Sequence, residues 1–316
     1  MFKLIIKRVL QAIPMLIFIS IVSFLLIKLA PGDPIQSFIT PKMSANDIER
    51  IRHNLGLDKP IYIQYFLWLL NVLKGNLGYS IISYKPVLGE IVQRLPATLG
   101  LMASSLIISV ILGIILGLIS AFYKNKFIDN VITTLSYIGI SIPSFWFAMI
   151  LIYIFALKLH WLPSIGMHTT GINSIIDILK HGIMPCAVLC LQNLAIITRY
   201  IRSNAITQLS EDYVIVAIAK GLSRKEVLYK HVLKNTVLPI ITILGMSLPD
   251  LVSGAFITET VFGWPGMGRL GITSIFKFDY PIIMAITMFS SLLLIIGNLL
   301  ADILYGIVDP RIRSMR

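Results

Sequence analysis

Residues Glu211 to Pro239 read EDYVIVAIAKGLSRKEVLYKHVLKNTVLP, a polar and mostly cationic interruption between two long apolar runs. Ser210, with Glu211 and Asp212 behind it, predicts a helix start, because a hydroxyl caps free N–H groups and acids suit the positive end of the helix dipole. That helix should run to about Lys220. Gly221 supplies the left-handed conformation that ends a helix, and Ser223-Arg224-Lys225-Glu226 is a capping box that opens another. The predicted unit is helix, tight turn at Gly221-Leu222, helix. Tyr213, Val214, Ile218, Val227, Leu228 and Val232 offer apolar contacts, while Arg224, Lys225, Lys230 and Lys234 hold the segment out of hydrocarbon. A loop made basic by topology alone would share this composition, so the spacing has to decide between the two.

The rest of the chain sets the context. It has 316 residues, 56% of them hydrophobic and 13% charged, with a mean hydropathy of +0.85, which is the composition of a polytopic membrane protein. The formal net charge of +12 comes from cations beside apolar spans, as membrane topology requires, and implies no nucleic-acid partner. Cys186 and Cys190 are four apart in one apolar run, where helical geometry denies them a relaxed disulfide, so they read as small core residues. The sequence has no CxxC pair and no clustered His/Cys/Asp ligand set, so no metal site is expected.

The first apolar run, Val9–Ala30, reads as a retained span rather than a signal peptide: it is long, Lys28 interrupts its end, and no small-x-small cleavage site precedes Pro31-Gly32-Asp33-Pro34. Residues 31–96 form a folded region with a short helix over Ser44–Leu55 and an aromatic amphipathic one over Tyr62–Leu73. Five more runs follow, Ala97–Tyr123, Val131–Leu157, Gly182–Arg199, Thr236–Phe262 and Pro281–Ile307, each long enough to cross about 30 Å of hydrocarbon. The fold class is therefore all-α, with six transmembrane helices. Residues 1–96 hold the first span and an extracytoplasmic region; residues 97–316 form a core of five spans with a cytoplasmic loop over about 203–235. Cations crowd the N-terminus, Lys124 and Lys126, the 199–234 segment and the C-terminus, while the short opposite loops hold only Lys158, Lys180, Arg269 and Lys277. Both termini and the 211–239 segment are thus expected in the cytoplasm. Gly113 and Gly117 allow close helix approach, and Pro143, Pro185, Pro239 and Pro249 should kink or break helices.

The opening segment resembles the EAA loop of ABC importer permeases, in which helix, fixed glycine and second helix form the element that docks in a cleft of the ATPase subunit. Ala217 matches the last alanine of that pattern, Gly221 its glycine, and His231-Val232-Leu233 its Ile-x-Leu. Ile215 stands where the name-giving Glu would be, and Lys234 replaces the closing Pro. AKGLSxxxVLxxHxLxN, read from Ala219 through Asn235, is similar to permeases of dipeptide, oligopeptide and nickel importers. So are LAPGDP at Leu29–Pro34, LGLDKPIYIQY at Leu55–Tyr65, KGNLGYS at Lys74–Ser80, RLPATLGL at Arg94–Leu101, ETVFGWPGMGRL at Glu259–Leu270 and VDPRIR at Val308–Arg313.

The resemblance implies half of a heterodimeric pore in a bacterial or archaeal cell (inner) membrane, surrounded by lipid. Its implied partners are a homologous second permease, two ABC ATPase subunits that carry ATP and Mg, and an extracytoplasmic substrate-binding protein. The chain would have no catalytic or cofactor residue of its own. It would couple to the ATPase through Ala217, Gly221, Leu222, Ser223, Glu226 and His231. A need for outside energy follows from the residues too, since no GxxxxGK[ST] phosphate loop is present. Peptides are the favoured cargo and nickel or a metal chelate the alternative. An ion-coupled secondary transporter would call for inverted repeats and several ionisable residues deep in spans, and an intramembrane protease for a GxGD or GxSG motif; neither pattern is present. Asp250, behind Pro249 in the fifth predicted span, is the candidate pore charge, facing cargo or hydrogen-bonded to Gln192 or Asn193.

Overall fold

The computed structural model describes residues 2–29, 44–237 except 55, 57 and 173, the separate positions 240, 244 and 247, and 255–308. These residues are helical apart from turns, loops and one isolated bridge, Tyr79 with Pro86.

Two long helices form the centre, α4 (Val87–Phe122) and α7 (Ile175–Leu209). Small residues at four-residue intervals on α4, namely Ser105, Ser109, Gly113 and Gly117, are all buried, and this narrow stripe lets the backbones approach. A Cβ added at Gly113 would lie 2.6 Å from Ile197, and one at Gly117 would lie 2.6 Å from Ile201 and 2.8 Å from the Thr198 carbonyl oxygen. Ser109 Oγ donates to the Cys190 carbonyl across the same seam, at 3.1 Å. The close approach expected of Gly113 and Gly117 is therefore what joins the central pair, and Cys190 is a buried contact residue within it.

α5 (Phe127–Ser141) and α6 (Ser144–Leu151) follow α4, and α6 continues as a π-helical stretch over Ile152–Lys158. The two are bent by 103°. Pro143 causes the break: it lacks an N–H for the ladder, and its ring forces Ile142 into the extended region, observed at φ −76°, ψ 124°. Pro185 was expected to act in the same way, but α7 runs through it unbroken.

At the N-terminal side lie α1 (Phe2–Leu29), α2 (Ala45–Asn54) and α3 (Ile61–Leu73). Tyr65 and Trp68 of α3 turn onto Phe24 of α1, and the Tyr65 hydroxyl lies 2.8 Å from Ser20 Oγ; Tyr62 and Phe66 stay exposed. Near the other end, α11 (Phe256–Val261) and α12 (Met267–Phe276) form a short helical hairpin, and α13 (Tyr280–Val308) packs against α1.

Four helices, α1, α4, α7 and α13, are long and apolar enough to cross a membrane, and the bent α5–α6 pair makes a fifth. Most of the span expected over Thr236–Phe262 lies outside the described residues, and its described end is only the short α11. The second span also starts earlier than expected. Val87 and Ile91 are buried and Glu90 meets Arg94 one turn on, so the helical pattern extends ten residues ahead of Ala97, with Pro96 inside the helix.

Candidate functional site

The segment after α7 folds as α8 (Asp212–Ala219), a turn, α9 (Arg224–Val227), a π-helical turn over Leu228–Val232, and α10 (Leu233–Thr236). Gly221 has φ +90°, a conformation natural to glycine alone, and an added Cβ would meet nothing within 4 Å. The capping box is complete. Ser223 N–H and Oγ donate to Glu226 Oε2 at 3.0 and 2.9 Å, and Glu226 N–H donates back to Ser223 Oγ at 3.3 Å. These bonds, the backbone one first, hold the exposed Glu226 carboxyl below the usual carboxylate range.

The start differs from expectation. Ser210 ends α7, donating to the Thr207 carbonyl at 2.7 Å, and the position ahead of α8 is taken by Glu211, which makes no side-chain cap. The same hydroxyl can close one helix or open the next, and here the tight junction after α7 uses it for closing.

The inner face of this knuckle is buried. Val214, Ala217, Val227, Leu228 and Val232 form one cluster with Leu118 and Ala121 of α4 and Ile197, Ile201 and Ala205 of α7, and Leu222 is half-buried. Its outer face keeps Ile215, Val216 and Ile218 at 61%, 52% and 45% exposure, large apolar groups that a water-facing helix has no reason to carry unpartnered. Ile218 thus offers its apolar contact on the outer face, whereas Val214, Val227, Leu228 and Val232 make theirs within. His231 is exposed on the π-helical turn after α9.

Behind the knuckle lies an ion pair missing from the sequence reading. Asp129, 1% exposed at the start of α5, receives Arg202 Nε at 2.6 Å and Nη2 at 2.7 Å, Ser120 Oγ at 2.5 Å and the Asn125 N–H at 2.8 Å. A buried carboxylate is stable only when its lone pairs are filled, and the bidentate guanidinium also cancels its charge. Ser120 and Arg202 neighbour Ala121 and Ile201 of the knuckle's cluster, so the pair and the knuckle grip the same stretch of α4 and α7. A signal was available: Asp129 is the only acid between Pro96 and Leu157.

At the opposite end the sequence blocks meet in space. Thr98 of RLPATLGL donates to Glu259 Oε1 at 2.9 Å and accepts the Met267 N–H at 2.7 Å. Trp264 Nε1 donates to the Ala97 carbonyl at 3.0 Å. Glu259 is fully buried, its second oxygen receives the Arg269 N–H, and a Cβ on Gly266 would sit 2.4 Å from both Glu259 and Thr98. Ser80, the last residue of KGNLGYS, and the Ile81 N–H donate to the buried Asp279, at 2.5 and 3.1 Å. Asp250 lies outside the described residues; Gln192 is exposed on α7, and Asn193 donates to the Leu189 carbonyl of its own helix at 3.4 Å.

Comparison with known proteins adds an independent line. Residues 113–314 match the model of the binding-protein-dependent transport system inner membrane component, and residues 1–102 the N-terminal model of such membrane components. The chain is 44% identical over 310 residues to the oligopeptide transport system permease protein AppB of Bacillus subtilis (strain 168), covering 98% of each chain. It is 40% identical over 317 residues to a putative peptide permease protein of Brucella suis, covering 99% of each. It is 38% identical over 313 residues to the glutathione transport system permease protein GsiC of Escherichia coli (strain K12), again covering 99% of each.

Proposed function

We propose a mechanism from one premise: this chain belongs to the family of binding-protein-dependent transport system inner membrane components. It is a permease subunit of a peptide ABC importer, an integral membrane protein that moves cargo. The observation that carries the coupling role is the two-sided knuckle, buried against α4 and α7 within and apolar without. Ile215, Val216 and Ile218 meet the ATPase subunit, while Ala217 and Leu222 seat the knuckle and Gly221, Ser223 and Glu226 fix its shape. A rigid element of this kind passes an ATPase closure into α7. His231 belongs to the same surface.

The assembly we infer has this chain as half of a pore with a homologous second permease, two ATPases that bind ATP and Mg, and an extracytoplasmic binding protein that selects the peptide. Six spans with both termini in the cytoplasm, divided at about residue 96, agree with the distribution of Lys and Arg. Asp250 is retained as a candidate pore charge, with Gln192 and Asn193 as its neighbours in function.

Gly221→Val tests the coupling role. A β-branched residue at φ +90° costs about 1–2 kcal/mol or more, a five- to thirtyfold shift against the seated turn. Peptide uptake and stimulated ATP hydrolysis in the reconstituted importer should fall by roughly tenfold. Normal transport by this variant would remove the knuckle from the mechanism.

Orientation is tested separately, in a background with Cys186 and Cys190 replaced. Tyr62→Cys, at a site 65% exposed on α3, should react with a membrane-impermeant thiol reagent added outside intact cells, and the exposed His231→Cys only after the membrane is opened. The reverse pattern would invert the topology.

A further inference from the structure

One cavity is not absorbed by coupling. Between α5 and α7 lies a space of about 400 Å³ lined by Thr133, Tyr137, Arg199, Arg202 and Ser203, among others. Its two arginines differ. Arg202 is spent on Asp129 through both Nε and Nη2. Arg199 lies with its guanidinium carbon 4.2 Å from the centre of the Tyr137 ring, and among the described residues no carboxylate is within ion-pair reach of it. The contact holds the guanidinium beside the ring while no carboxylate among the described residues pairs with it, and a guanidinium fork can bind a carboxylate with two parallel hydrogen bonds. Arg199 is exposed and sits where the apolar run of α7 ends on its cytoplasmic side, so a free anion can reach it.

The cavity also has a direction. Gln192, Ile196, Arg199 and Ser203 are spaced i, i+4, i+7 and i+11 along α7 and so share one face. Tyr137 lines a second space of about 560 Å³, walled by Ile142, Pro143, Phe145 and Trp146 at the break between α5 and α6. A cationic depression and an open apolar one thus meet at Tyr137, and their volumes suit a small organic ligand.

We propose that Arg199, held over the Tyr137 ring, is a relay site for the terminal carboxylate of the transported peptide, with the adjoining apolar depression taking its last side chain. The proposal rests on the peptide reading of the chain. It makes Arg199 a specificity residue within the pore and assigns to the permease a preference for free-acid peptides that the delivering protein need not impose.

The test uses the complete importer in vesicles of phosphatidylcholine, with and without phosphatidylglycerol. It compares a dipeptide with its C-terminal amide, each at a concentration that saturates the binding protein. Arg199→Gln should lower uptake of the free acid by about tenfold or more relative to the amide, and Arg199→Lys should restore part of the ratio. Equal losses for both peptides, an unchanged ratio, or a loss confined to vesicles with the anionic lipid would overturn the proposal, the last by assigning Arg199 to a lipid phosphate. A second readout leaves Arg199 intact. In a background with Cys186 and Cys190 replaced, labelling of Ser203→Cys in the assembled importer should be slowed by the free-acid dipeptide and not by its amide; equal protection, or none, overturns it as well. Failure of the wild-type importer to take up either peptide would sink the peptide reading itself, an outcome distinct from these.

Discussion

Replacing Arg202 with alanine is expected to destabilise the subunit by about 3–5 kcal/mol, because it leaves the buried Asp129 carboxylate without its counter-charge. Asp129→Asn should cost less, since the Arg202 side chain is 27% exposed and can turn its head towards water. The double variant Asp129→Ala/Arg202→Ala should be more stable than Arg202→Ala alone, as no orphaned charge remains. Equilibrium unfolding of the purified importer in mixed micelles measures all three. Salt supplies a further check, because screening weakens exposed pairs and leaves buried ones nearly untouched. A loss of under about 1 kcal/mol in Arg202→Ala, abolished by salt, would make this an ordinary surface pair.

The second large effect is expected at Gly117. Its alanine Cβ would lie 2.6 Å from Ile201 Cβ and 2.8 Å from the Thr198 carbonyl oxygen, and the backbone atom cannot move aside as a rotamer can. Relief requires the two central helices to separate, a cost of about 1–3 kcal/mol for one methyl and more for valine. Gly100 on the same helix is the control: nothing lies within 4 Å of its added Cβ, so Gly100→Ala should be neutral or mildly stabilising. Similar behaviour of the two variants in the same unfolding measurement would show that close approach at Gly117 does not hold the pair together.

What could be read from the chain was local. Gly221, the Ser223–Glu226 box and the Pro143 break each act within four residues, and each appears where the spacing put it. The Gly113–Gly117 stripe was legible as a contact, though not its partner. The reading failed where a signal has two uses. Ser210 caps the end of α7 rather than the start of α8, and the polar turn around Glu90 and Arg94 hid the first ten residues of α4 from a search for apolar length. It also missed bonds that only the folded chain creates: Asp129 with Arg202 is 73 residues apart, Thr98 with Glu259 161, and Ser80 with Asp279 199. Such pairs leave at most an isolated acid in an apolar context, with no trace of which donor will fill it.

The position of the tightest crossing along α7 sets a mechanical ratio. From Ile201, where the Gly117 contact falls, the helix extends eight residues to Leu209 beside the knuckle and twenty-six to Ile175, which gives arms of about 12 and 39 Å. A rigid pivot of α7 about that crossing would give it a short driven arm, so that a displacement of about 2 Å at the knuckle would become roughly 6 Å at the far end.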